Sequence, residues 1–179
     1  MGDKKELELQ FKKHGYDDYK WIAPEHIVVS QWVRMKCMFG CSSFNNNASC
    51  PPNVPSVEEC MLFFREYSDV VVFHFKRSFK NPDERHKWTK KVNLGLLELE
   101  REVFLSGYQK AFLLFMDTCN LCGSCTGLKS ECKNQSSSRP TPEALAVDVF
   151  STVRKYGYQI EVLNKYEQEM NRYAFLLIQ

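Results

Sequence analysis

Cys119-Asn120-Leu121-Cys122-Gly123-Ser124-Cys125, with Cys132 seven positions further on, is the densest chemistry in this chain. Thiolates so close in one loop can converge on a shared inorganic centre, which scattered buried thiols cannot do. Just upstream, Ala111-Phe112-Leu113-Leu114-Phe115-Met116 is an apolar run ended by Asp117, which reads as a buried strand. The loop therefore hangs from the end of a rigid element, where open α/β sheets place their ligands.

Three chemistries compete for this loop. Structural zinc draws its ligands as separated pairs. Here one continuous loop supplies Cys119, Cys122 and Cys125, a spacing closer to the cysteine triplet of bacterial ferredoxins. A thioredoxin-like pair would leave Cys125 and Cys132 unexplained. Gly123 frees the backbone to turn inside the loop. The ferredoxin pattern is incomplete, because Cys132 is followed by Lys133 rather than proline. An iron–sulfur centre is the leading expectation and zinc the alternative.

A second group precedes it: Cys37, Cys41 and Cys50, the last followed by Pro51 and Pro52. Three thiols without a fourth would leave one iron of a cubane open to a small molecule. The fourth candidate, Cys60, lies on the apolar stripe of an expected helix, where a free cysteine behaves as a small buried hydrophobe. Both groups converging on a single centre is the simpler arrangement.

Eight cysteines among 179 residues also admit four disulfides. That framework belongs to small secreted domains lacking a core. With 44% hydrophobic residues this chain has material for a core, and its polar start, Met1-Gly2-Asp3-Lys4-Lys5-Glu6, shows no secretory h-region. No apolar run approaches the roughly 20 residues that cross a bilayer. A cytoplasmic protein with no membrane contact is expected. The formal net charge of +2 gives no support to nucleic-acid binding.

Along the chain, residues Lys4 to His14 read as a short helix in an N-terminal extension spanning 1–25. Ile27 to Val33 reads as a strand delivering the first cysteine group. Ser56-Val57-Glu58-Glu59 is a capping box opening a helix. Asp69 to Phe75 is a buried-type strand, Asp83 to Leu105 a long helix, and Lys110 to Met116 a strand. A helix opens at Thr141-Pro142 and ends at Gly157. Tyr158 to Leu163 and Tyr173 to Ile178 complete the strands. The expectation is one α/β (or α+β) domain over 1–179: a sandwich around a mixed sheet of four to five strands, with three main helices and two cysteine-rich loops. His74, inside an apolar strand, reads as a packed or hydrogen-bonded histidine. The basic run from Lys76 to Lys91, with Phe79 and Trp88, reads as a solvated helix face.

Four segments carry a family resemblance: Arg34-Met35-Lys36-Cys37-Met38-Phe39-Gly40-Cys41, Cys50-Pro51-Pro52-Asn53-Val54-Pro55-Ser56, Cys119 to Cys125, and Arg139-Pro140-Thr141-Pro142-Glu143-Ala144. Together they resemble the predicted metal-binding proteins of anaerobic bacteria and archaea known as domain of unknown function 2284. The resemblance implies metal binding through Cys37, Cys41, Cys50, Cys119, Cys122, Cys125 and Cys132, with Cys60 an extra, and an anaerobic setting. It implies no reaction. The expected function is a cytoplasmic protein binding one or two [4Fe-4S] clusters, for electron transfer or a cluster-dependent redox reaction. A redox partner protein is expected, with a small-molecule ligand at an open cluster as a further option. The rival is a zinc-stabilised interaction module without redox activity.

Overall fold

A computed structural model describes residues 4–179. Its frame is a four-stranded sheet of β1 (Tyr19–Ile22), β2 (Val70–Arg77), β3 (Phe112–Leu114) and β4 (Met170–Leu177), in the order β1-β2-β4-β3. Every pairing is antiparallel, so the sheet is not the mixed one expected from alternating strands and helices. β2 and β4 form the long central ladder, from Val70 opposite Leu177 to Arg77 opposite Met170. Alternate residues of these strands face opposite ways. Val70, Val72, Phe175 and Leu177 enter one core, while Val71, Phe73, Ala174 and Leu176 enter another.

Helices cover both faces. α1 (Lys4–Lys13) and α4 (Pro82–Leu105) pack Leu7, Phe11, Leu96, Leu99 and Val103 on one side. α3 (Val57–Arg65) and α5 (Val149–Arg154) supply Cys60, Phe64, Val149 and Val153 to the other. α2 (Gln31–Gly40) lies beyond them, with Val33 its only buried residue. The N-terminal segment is thus part of the sandwich rather than an extension: Leu7 and Phe11, one helical turn apart, are fully buried, and β1 is an edge strand.

Three expected elements differ. The strand expected over Ile27–Val33 is extended only at its start, where Val29 bridges Val147 and Asp148 N–H donates to Val28 O. From Gln31 the chain is helical, because Gln, Arg, Met and Lys outweigh Trp and Val in helix propensity. The helix expected from Pro142 is broken in two. A 3₁₀ turn at Glu143–Leu145 stops at Ala146, which is left-handed (φ 61°), and Asp148 then caps α5 through Ser151 N–H at 3.0 Å. Satisfying the Val29–Val147 bridge takes the place of continuing the helix. The segment Tyr158–Leu163 is not a strand. Tyr158 and Ile160 instead pack across the covered face, with the Tyr158 hydroxyl donating to Asp18 at 3.0 Å.

β3 is shorter than the apolar run that encodes it. Phe115 N–H turns away from β4 and donates to Pro140 O at 2.9 Å, closing the base of the cysteine loop. On the outer edge, Leu113 N–H is satisfied by the Glu100 carboxylate at 2.8 Å. β4 thereby pairs with β3 only over Phe175–Leu177. Its first residues, Met170 to Tyr173, lack a β3 partner beside them.

Candidate metal centre

The two cysteine groups, about eighty residues apart in sequence, meet at one end of the sandwich. The first does not follow a strand, as its expected topology required: Cys37 lies in the last turn of α2 and Cys41 caps its C-terminus. Cys50 follows on a turn whose N–H bonds to Asn47 O. All three thiols line one cavity of about 130 Å³, together with Phe44, Asp117, Glu143 and Arg172. The second group does follow β3. Cys119 and Cys122 are half-buried and Cys125 is exposed.

The groups are laced together by two asparagines absent from the expected site. Asn47 Nδ2 donates to Cys119 O at 2.9 Å. Asn53 Nδ2 donates to Gly127 O at 2.7 Å and to Asn47 O at 3.3 Å, while its Oδ1 accepts from Lys129 N–H at 3.2 Å. Each amide has a donor and an acceptor end, so one side chain can tie two backbones at once. Gly127, at φ 83°, passes 3.4 Å from Asn45 O by the position a Cβ would take, and its left-handed turn suits glycine.

Two of the sulfurs receive hydrogen bonds from N–H donors. Asn134 Nδ2 lies 2.9 Å from Cys122 Sγ and Ala48 N–H lies 3.3 Å from Cys125 Sγ. Donors of this kind stabilise thiolate ligands and tune the centre they hold. Without a compensating cation the thiolates are disfavoured. Burial, then the nearby Cys41, Cys37, Cys119 and Cys125, pushes the Cys50 thiol up to about 12. Burial likewise raises Cys37 and Cys119. Cys50 is the meeting point, feeling thiols from both groups. Positive charge among these sulfurs would reverse the cost, since a coordinating metal deprotonates thiols outright. A sulfur-only donor set of this density fits soft metals and iron–sulfur centres.

All eight cysteines are free thiols, so the disulfide framework is not present. Cys60 stands apart from the other seven: it is 1% exposed in the core under α3, and its Sγ lies 3.7 Å from Pro55 O. Among the described residues no three Cys, His, Asp or Glu side chains close on a single point as a ready cage for one ion. The first three thiols instead ring a space. His74 is held in the core by Asp18 at 2.6 Å and Asn171 at 2.7 Å, away from the cysteines.

An antiparallel sheet sandwiched by helices, carrying seven cysteines on two interlaced segments, has the make-up of a cysteine-rich metal-binding domain. The chain belongs to the family described as predicted metal-binding protein (DUF2284), which matches residues 20–178. The match starts within β1, so α1 lies outside it. Neither a curated protein nor a solved structure matches the chain. No helix among the described residues is long and apolar enough to cross a membrane.

Proposed function

We propose that this is a cytoplasmic iron–sulfur protein that binds one or two [4Fe-4S] clusters and works in electron transfer or a cluster-dependent redox reaction. The observation that carries this reading is the lacing of the 119–125 loop to the segment before Cys50, with N–H donors on the Cys122 and Cys125 sulfurs. Cys132 is close enough to Cys119 to act on its thiol, and Cys37, Cys41, Cys119 and Cys125 are close enough to act on Cys50. Cys119, Cys122, Cys125 and Cys132 would hold one centre. Cys37, Cys41 and Cys50 would hold a second, or join the first through Cys50. When bound, such a centre supplies one-electron chemistry, and at an incompletely ligated iron it supplies Lewis acidity. The chain's own residues set its surroundings. Asn134 and the Ala48 amide donate to sulfur, Asn47 and Asn53 fix the spacing of the loops, and the cysteines at Cys41 and Cys125 leave the centre near the surface for a redox partner protein.

Anaerobic purification with iron, sulfide and zinc assays tests this. About four or eight irons per chain, with equal sulfide, is the expected result. A colourless protein with stoichiometric zinc would overturn it. Cys122→Ala should lower iron by a whole cluster, and unchanged iron would refute the ligand set.

A further inference from the structure

Where β3 leaves the sheet, the uncovered start of β4 borders two cavities that share Met116, Glu143 and Arg172. One is the thiol-lined cavity of Cys37, Cys41 and Cys50. The other, about 290 Å³, opens alongside it beneath the 160–163 loop. Its apolar wall is formed by Val149, Phe150, Ile160, Val162, Leu163 and Met170, and Glu143, Glu161, Asn171 and Arg172 make up a polar side. Val162 is 78% exposed, an aliphatic side chain lining the chamber while open to water.

The cation at the junction is Arg172, and it is under-used. Its Nε is buried with no hydrogen-bond partner, and its Nη2 reaches only the Met170 thioether at 3.5 Å. It forms no ion pair among the described residues. Glu143 and Glu161 also face the chamber. Neither lies within ion-pairing distance of the guanidinium. Burial pushes the Glu143 carboxyl up and the nearby Arg172 charge draws it part of the way back, while Glu161 stands on the exposed loop, where water screens it. A partly buried guanidinium with an unbonded Nε and no hydrogen-bonded carboxylate carries a desolvation cost that a bound anion lowers. Its planar fork matches a carboxylate with two parallel hydrogen bonds. A volume near the lower end for ligand pockets limits the occupant to a small molecule.

We propose that this chamber binds a small organic carboxylate with a short apolar body, its carboxylate held by Arg172 and its body against Phe150, Ile160, Val162 and Leu163. The ligand then sits beside the thiol-lined cavity. What it meets there rests on the reading of Cys37, Cys41 and Cys50 as ligands of a centre, whereas the binding itself does not.

Calorimetric titration of the metal-loaded full chain with acetate, butyrate and 1-butanol tests it, with metal content assayed on the same samples. Butyrate should bind more tightly than acetate, and 1-butanol about tenfold more weakly than butyrate or worse. Arg172→Gln should weaken butyrate about tenfold or more at unchanged metal content. Val162→Asp, on an exposed loop where folding tolerates it, should weaken butyrate more than acetate. Absence of butyrate binding, or binding indifferent to Arg172→Gln and Val162→Asp, overturns the site. An iron-loaded protein that ignores butyrate removes the chamber and keeps the cluster. A zinc protein that binds butyrate through Arg172 keeps the chamber and removes the cluster. Butyrate that also perturbs the electron paramagnetic resonance signal of the reduced centre places the ligand next to it.

Discussion

Arg139 shows how much one side chain can hold at the foot of the cysteine loop. Its Nε contacts both Glu100 oxygens at 2.9 and 3.1 Å, and its Nη2 lies 2.9 Å from Oε2. Glu100, 7% exposed at its side chain, also accepts from Leu113 N–H. One carboxylate thus pins α4, edge strand β3 and the returning chain. Arg139→Ala strands that carboxylate, and a broken buried pair costs about 3 kcal/mol. Urea unfolding should show it, whereas a loss under 1 kcal/mol would mean water compensates the site. Asn53 is the second such residue. Its two bonds across to the second cysteine segment and one within the first predict that Asn53→Ala costs about 2 kcal/mol and speeds metal loss to a chelator, measured by absorbance. The Cys119-Cys122-Cys125 triplet was legible as a group because its spacing in the chain is itself the signal, while the wider set of seven rested on the family resemblance. Asn47, Asn53, Asn134 and Arg172 were not, since a lone amide or a lone cation opening an apolar run has no spacing to read. For the asparagines, the bonds to the second cysteine group or across to it span 12 to 76 residues.

At the scale of elements, local chemistry was readable where it was self-contained. Ser56 Oγ accepts from Glu59 N–H at 3.2 Å and Glu59 accepts from Ser56 N–H at 2.8 Å, the box expected at the start of α3. Those bonds hold the Glu59 carboxyl below its ordinary range. Ser56→Ala should therefore destabilise by about 1 kcal/mol, seen as an earlier urea midpoint. The helix Pro82–Leu105 begins one residue from its expected start, with Asn81 accepting from Glu84 N–H at 3.0 Å. What failed were the elements decided by distant pairing. β1 is four residues without a β-branched run, and it becomes a strand only because Val70–Phe73 offers an edge. Tyr158–Leu163 has strand composition but is used to pack a face. The tyrosines on these faces give the sheet an alkaline limit. Burial pushes Tyr16, Tyr67 and Tyr173 up to about 12, from 10.0 in an unfolded chain. The unfolded state releases these protons first, so stability is full below pH 10 and falls as pH rises toward 12. Urea midpoints of the metal-free protein should decline across that window. Tyr16→Phe should make the decline shallower, and an unchanged slope would remove Tyr16 from the account.

For the whole molecule, the two apolar cores and the cysteine-rich end are built from different residues. Leu96, Leu99, Phe73, Leu176 and Phe115 fill one core and Val72, Phe175, Leu177, Val153 and Leu145 the other. Of the seven candidate ligands only Cys119 packs against either. The loops are held instead by a few side-chain hydrogen bonds from Asn47, Asn53 and Arg139. Folding and metal loading should therefore separate, unlike small zinc domains in which the metal supplies the core. Removing metal with a chelator under reducing conditions should leave the far-ultraviolet circular dichroism and a cooperative urea transition in place. The same treatment should expose the 117–139 segment to trypsin at Lys129 and Lys133, which lie on the surface. Cleavage confined to that segment, slowed when metal is restored, would show a rigid sandwich carrying a metal-ordered end. Loss of the dichroism on chelation would show that the sulfur ligands, rather than the sheet, hold the chain together.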